Sequence, residues 1–329
     1  MKLNRFGNTT LQVSEIGFGS WAIGGDAMIG DTAIGWGKAD DQESIRAIHA
    51  AMDRGINFFD TADIYGLGHS EALLGKTLPK SEDILIATKC GNVARDNQFT
   101  TDYSFDHLIK ACEDSLKRLK RNEIDFYQLH SARLTHLKDG ECIRAMELLK
   151  QQGKIRYWGI SLNSFDPVPE ARFLLDQGTG NGFQLVLNLL NQKAHSFIKD
   201  AKEKGFGLIA RMPLQFGLLT GKFDHSAIFD DKDHRKKRLT SEMISMVNNH
   251  LRPIWKLAEK YGCSKTSMAI SFVLNHPEIS SVIPGFRTKE QVLENTAPIL
   301  KLDTTDIEFI HGYWTEEGQT VFELMKKLG

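Results

Sequence analysis

Asp60, Tyr65, Lys89 and His130 are side chains that together can carry a proton to an oxygen atom. A phenol ionises near pH 10 and alone is a weak acid at neutral pH. An ammonium beside it favours the ionised oxygen, so a lysine improves a tyrosine as proton donor. A carboxylate can hold that lysine and offset the cost of burying it. An imidazole can hydrogen-bond a carbonyl and support the oxygen on which charge develops. The spacing suits this chemistry: Asp60 closes the run 57–60, Tyr65 follows soon after, Lys89 closes 84–89 and His130 closes Ile124–His130. One polar residue at the end of a strand is ordinary. Four at matched depth, on three strands, form a constellation.

The elements that must position them alternate regularly. Eight short apolar, β-prone runs (15–19, 57–60, 84–89, 124–130, 155–161, 183–188, 207–212 and 281–285) are separated by stretches of helical periodicity. In the segment Phe105–Leu119, Leu108, Ala111, Cys112, Ser115, Leu116 and Leu119 recur at helical spacing, with Ser104 placed as N-cap. Gly55, Gly153 and Gly205 each stand between a helical run and the next strand. Repeated βα units imply parallel strands and right-handed crossovers. Eight units without a dividing linker predict an α/β protein, a single (β/α)8 TIM barrel over residues 1–329, rather than an open doubly wound sheet. Residues 2–6 and 11–13 flank Gly7-Asn8-Thr9-Thr10 and predict a short N-terminal β-hairpin that plugs the barrel floor. Segments 20–38 and 214–240 are long βα loops, which in such a barrel carry the chemistry.

Composition excludes several classes. Hydrophobic residues at 41% and charged residues at 25% supply a globular core, and a net charge of −1 gives no field toward nucleic acid or anionic lipid. The basic run Arg235-Lys236-Lys237-Arg238, among Asp230, Asp231 and Asp233, reads as a solvated loop. The first residues lack the apolar core of a signal peptide, no stretch has the length of a membrane span, and the four cysteines are scattered. A cytoplasmic protein is expected, with no nucleic-acid or membrane partner; oligomeric state is not readable. Gly17-Phe18-Gly19-Ser20-Trp21-Ala22 fits a dinucleotide fingerprint, but the glycines that follow forbid the helix it needs. Tyr261 and Lys265 have the spacing of a Y-x-x-x-K pair, yet Gly262 and Ser264 break the helix between them. Asp224, His225, Asp230, Asp231, Asp233 and His234 lack compact ligand spacing, and no metal is expected.

The segment Phe59-Asp60-Thr61-Ala62-Asp63-Ile64-Tyr65-Gly66, with Ser70-Glu71 beyond it, resembles a signature of the aldo-keto reductase superfamily. Thr88-Lys89, Gln128-Leu129-His130, Val282-Ile283-Pro284-Gly285 and Glu294-Asn295 follow in the family's order, so the resemblance covers nearly the whole chain. Its closest flavour is the bacterial branch that also resembles potassium-channel β subunits. The resemblance implies a (β/α)8 barrel that binds NADP(H) without a Rossmann fold and reduces the carbonyls of small aldehydes and ketones. Asp60, Tyr65, Lys89 and His130 take the places of the family's catalytic tetrad, with Tyr65 as general acid.

The same resemblance places Ser161, Asn163 and Gln184 at the nicotinamide carboxamide, although Leu162 interrupts the usual adjacent Ser-Asn pair. Arg211, before Met212-Pro213-Leu214, stands where many members stack an aromatic ring on the nicotinamide, and a guanidinium plane can stack likewise. Pro213, Leu214 and Gly285 are expected beside the cofactor. Arg287 is placed to grip a 2′-phosphate, Thr288 to cap the next helix, and Gln291 and Asn295 to reach the adenosine. Trp21, Trp36 and Phe216 are expected to line an apolar substrate pocket. Two functions fit: a reductase of carbonyls, or a regulatory, redox-sensing subunit that keeps the cofactor with little turnover. The absence of a long N-terminal extension favours the first; the substrate is not legible.

Overall fold

The computed structural model describes residues 1–329. Its centre is a sheet of eight parallel strands: β1 (Phe18–Gly19), β2 (Phe58–Asp60), β3 (Leu85–Cys90), β4 (Ile124–His130), β5 (Ile155–Ser161), β6 (Gly182–Val186), β7 (Gly207–Arg211) and β8 (Ser281–Ile283). They neighbour one another in chain order. Bridges Ile16↔Val282 and Gly19↔Gly285 bring β1 back to β8, with Gly17 N–H donating to Val282 O at 2.8 Å. The (β/α)8 barrel expected from the alternation is therefore present. β1 and β8 are shorter than the apolar runs that mark them, because near the seam only isolated bridges continue the ladder.

Each crossover helix buries one stripe. Phe105–Leu119 turns Leu108, Ala111, Cys112, Ser115 and Leu119 inward, the spacing its sequence requires. Ser104 occupies the N-cap position without capping, since its hydroxyl donates to Asp102 Oδ1 at 2.6 Å. Gly205 takes a φ of +81° at a helix end, where a Cβ would also meet Asn8 of the hairpin at 2.0 Å. Helices Arg252–Lys260 and Lys265–Leu274 are separate, and the Tyr261 hydroxyl donates to Asp306 at 2.5 Å, so the Tyr261–Lys265 pair is structural.

The N-terminal hairpin pairs Leu3–Arg5 with Gln12–Ser14 and closes the barrel floor. Phe6, Leu11 and Val13 pack there against Phe58, Leu85, Phe126, Ile209 and Ile283. The opposite mouth is covered by loops. The loop after β1 carries the turn Trp21–Gly24 and a small ladder of Met28–Ile29 with Thr32–Ala33. The loop after β7 carries the turns Gln215–Thr220 and Arg235–Arg238. A hairpin after β3, Asn92–Arg95 with Gln98–Thr101, has no counterpart in the eight runs. Its sign was the dipeptide Asp96-Asn97, whose φ values of 52° and 57° suit a tight hairpin turn. No helix is long and apolar enough to cross a membrane.

Candidate active site

β2, β3 and β4 lie side by side, with Gln128 in register with Lys89 and Asp60 with Ala87. This brings the strand-end residues together. Lys89 is completely buried, and its Nζ donates to Asp60 Oδ1 at 2.5 Å, to Thr61 O at 2.8 Å and to the Tyr65 hydroxyl at 3.5 Å. Burial pulls the Lys89 ammonium down, but the charges of Asp60 and Tyr65 outweigh it and leave it above its ordinary value. Asp60 Oδ2 accepts from Gln128 Nε2 at 3.1 Å and Gln184 Nε2 at 2.7 Å. Gln128 was not singled out from the sequence as a site residue. The signal was present, since Phe126, Gln128 and His130 alternate along β4.

His130 lies edge-on to Tyr65, with ring centroids 5.9 Å apart. The Tyr103 hydroxyl anchors its carbonyl at 2.5 Å, and its Nδ1 is buried without a partner. Burial first, then the charges of Lys89 and Arg211, hold its imidazole well below the ordinary histidine value. It is a neutral ring beside a phenol, able to donate one hydrogen bond to an oxygen placed between them.

These residues stand at one end of a cavity of about 660 Å³. Trp21, Trp36 and Phe216 are among its lining residues, and Trp21 stacks on Tyr65 with centroids 5.7 Å apart and planes 16° apart. The basic run 235–238 keeps Lys236 and Lys237 exposed, as do Asp230 and Asp231 before it, but the middle of the segment turns inward. Asp233 and His234 are buried, His234 stacks on Trp21 at 4.4 Å, and the Arg235 guanidinium lies 4.7 Å over the Trp36 ring. The loop folds back because His234 N–H donates to Gly35 O and Asp233 pairs with Trp36, roofing the cavity. The acidic and basic residues satisfy one another at Asp233–Arg235, which removes the need for water.

Burial, then the nearby Arg238, push His234 down to about 3 from 6.5. Below pH 6.5 the unfolded chain therefore binds protons that folded His130 and His234 refuse, so stability falls with falling pH until the folded values are reached. His234→Gln should flatten the decline of the urea midpoint between pH 6.5 and about 4. An unchanged slope would mean that His234 is charged in the folded protein.

The residues expected to hold the cofactor are only partly assembled. Ser161, Gln184, Arg211, Pro213, Leu214, Gly285, Arg287, Gln291 and Asn295 line the cavity. Asn163 does not; its Oδ1 accepts from Phe165 N–H and Asp166 N–H, closing a turn, and Ser164 faces the cavity instead. The inserted Leu162 sets this, because it is fully buried and turns its neighbour away. Gln184 gives its amide N–H to Asp60 and accepts from Ser161 at 3.4 Å, so it braces the carboxylate. Asn188 is an ordinary strand-end hydrogen-bonding residue, bonded to Met212 O and Gln215. Arg211 donates to Leu162 O and Ser164 Oγ, with its Nε buried and unpartnered. Thr288 caps helix Lys289–Asn295 by accepting from Gln291 N–H, and lies outside the cavity lining. Arg287 donates to Trp36 O at 3.1 Å and to Lys38 O, and its own N–H is taken by Gln291 Oε1.

A dinucleotide fits this arrangement on three observations. A Cβ at Gly285 would stand in open space at the cavity wall. His130 Nδ1, Arg211 Nε and Trp36 Nε1, all on lining residues, are buried polar atoms without partners. A permanent cation, Arg287, lines the same cavity just beyond β8, whose Gly285 bridges to Gly19 of β1.

The model of the Aldo/keto reductase family matches residues 15–314. The aldo-keto reductase YhdN of Bacillus subtilis is 31% identical over 304 residues, covering 89% of this chain and 87% of that protein. An NADH-specific methylglyoxal reductase of Escherichia coli is 28% identical over 315 residues, covering 91% and 94%. A probable voltage-gated potassium channel β subunit of Oryza sativa is 27% identical over 320 residues, covering 90% of each. Among solved structures, the holo form of an aldo-keto reductase from Bacillus halodurans superposes with a TM-score of 0.76 at 25% identity, over 95% of this chain and 96% of that one.

Proposed function

This chain belongs to the aldo/keto reductase family, whose oxidoreductases work with nicotinamide cofactors, and from that premise we propose that it is an NADP(H)-dependent reductase of small aldehydes or ketones. The observation that carries the reading is the Lys89 ammonium, fully buried against Asp60 and 3.5 Å from the Tyr65 hydroxyl, behind a cavity lined by Tyr65, His130 and Arg287.

A bound nicotinamide supplies the hydride that the carbonyl carbon gains. Tyr65 and the neutral His130 receive the carbonyl oxygen, and the Tyr65 hydroxyl bond breaks to give that oxygen its proton, leaving an alcohol. Lys89 faces the phenol oxygen as negative charge develops on it. Gln128 and Gln184 fix Asp60, and Asp60 fixes Lys89. The roof of Trp21, Trp36 and His234 keeps water from the carbonyl. Following reduced-nicotinamide absorbance with a panel of aldehydes, sugars and ketones tests the activity. Turnover of simple aldehydes supports it; tight cofactor binding with negligible turnover across the panel would replace it with a regulatory, redox-sensing role.

Cofactor choice rests on Arg287. Its guanidinium now faces two neutral carbonyls, and a 2′-phosphate would substitute a charged acceptor for them. Arg287→Ala should weaken NADPH far more than NADH, by about 1.5–3 kcal/mol, or roughly tenfold to a hundredfold. Fluorescence titration of both cofactors measures it. Equal weakening of the two, or a wild-type preference for NADH as in the relative from Escherichia coli, would sink the assignment to NADP(H).

A further inference from the structure

Outside the cavity three histidines converge. His195 comes from the turn Lys193–Ser196, His276 follows the end of helix Lys265–Leu274, and His311 lies in helix Thr304–Glu317. One nitrogen from each ring lies within 4.8 Å of the other two. The His276 and His311 rings meet Nε2 to Nε2 at 3.3 Å.

The opposite nitrogens decide what that contact is. His276 Nδ1 lies 2.9 Å from Phe272 O, which can only accept, so Nδ1 carries the proton. His311 Nδ1 faces Gln192 Oε1 at 2.5 Å, and with the amide in this orientation it donates to it. A neutral imidazole has one N–H, so both Nε2 atoms present lone pairs to each other. A proton placed between them would make one ring cationic with a third imidazole close by. A metal ion relieves the repulsion without that cost. Two nitrogens, each about 2.0–2.1 Å from a tetrahedral ion, stand about 3.3–3.4 Å apart. That is the separation found. The N–H donated outward to an oxygen is also how ligating imidazoles are held in orientation.

We propose that His195, His276 and His311 bind one divalent first-row transition ion of the zinc class. An all-imidazole donor set suits zinc, copper or nickel and not magnesium or calcium. His195 is exposed, so it can swing onto the ion, and the fourth position opens to water. The ion would tie together three segments distant in the chain: the turn beyond β6, the end of one crossover helix and the middle of a later one. Its effect is therefore on stability, while Tyr65 and its neighbours are untouched.

The rival arrangement turns the Gln192 amide over, so that it donates to His311 Nδ1 and leaves His311 Nε2–H to bond His276 without any ion. Titration of the untagged, full-length, chelator-treated chain with zinc chloride separates the two. The site predicts one zinc per chain, with a dissociation constant of about 1 µM or tighter. It also predicts a rise of several degrees in Tm at saturating zinc, and a tetrahedral d–d spectrum when cobalt(II) is substituted. His195→Ala, a surface change that leaves the fold intact, should weaken zinc at least about tenfold and leave the Tm of the metal-free protein unchanged. His311→Gln should do the same to zinc affinity. Absence of stoichiometric binding, weak binding only at millimolar metal, or equal binding by both variants and the wild type would overturn the proposal in favour of the hydrogen-bonded pair.

Discussion

Tyr65→Phe should lower turnover at least ~100-fold, the range of a lost general acid, with NADPH affinity nearly unchanged. The substitution removes one hydroxyl and leaves the ring, which stays stacked on Trp21 and edge-on to His130. The packing of the cavity wall is therefore preserved, and the loss falls on the proton. The only hydrogen-bond partner of that hydroxyl is Lys89, so its removal strands no other buried donor. Steady-state rates with a simple aldehyde, alongside cofactor titration by fluorescence quenching, separate the chemical step from binding. Turnover close to wild type would remove Tyr65 from the mechanism and pass the proton to His130 or water.

Lys89→Met should also abolish most activity, and by a different route. The phenol remains, but no cation faces its oxygen as charge develops. The substitution also leaves the Asp60 carboxylate with only the amides of Gln128 and Gln184, and breaking a buried pair in this way costs about 3–5 kcal/mol of stability. Two measurements are therefore needed, the urea midpoint and kcat on the folded fraction. Asp60→Asn should cost less activity, because Asp60 touches no reacting atom and Thr61 O still holds Lys89 at 2.8 Å. An Asp60 variant clearly slower than the Lys89 variant would contradict this division, as would a folded Lys89→Met protein with wild-type kcat.

The barrel and its four strand-end residues were legible because both depend on local pattern. Apolar runs buried on both faces, each followed by an amphipathic helix, admit few topologies. Once the strands are parallel, every C-terminal end opens on one face, so Asp60, Lys89 and His130 must gather there. Gln128 is legible by the same alternation, two positions before His130 on one face of β4.

The roof and the histidine cluster were not legible, for one physical reason. Residues 230–238 are charged, and composition alone places such a run in water. Asp233 and His234 leave water, while Lys236 and Lys237 stay in it, because a segment nearly 200 positions earlier offers Gly35 O and the Trp36 ring for hydrogen bonding and stacking. Asn163 turned from the cavity because burying Leu162 outweighed the position that resemblance gave it. His195, His276 and His311 carry no spacing signal, since nothing local joins a turn, the end of one helix and the middle of another. The sequence by itself settles what each short segment buries and which way its strand runs. Which polar groups may leave water depends on partners brought from elsewhere in the chain, and closing the barrel is what brings them.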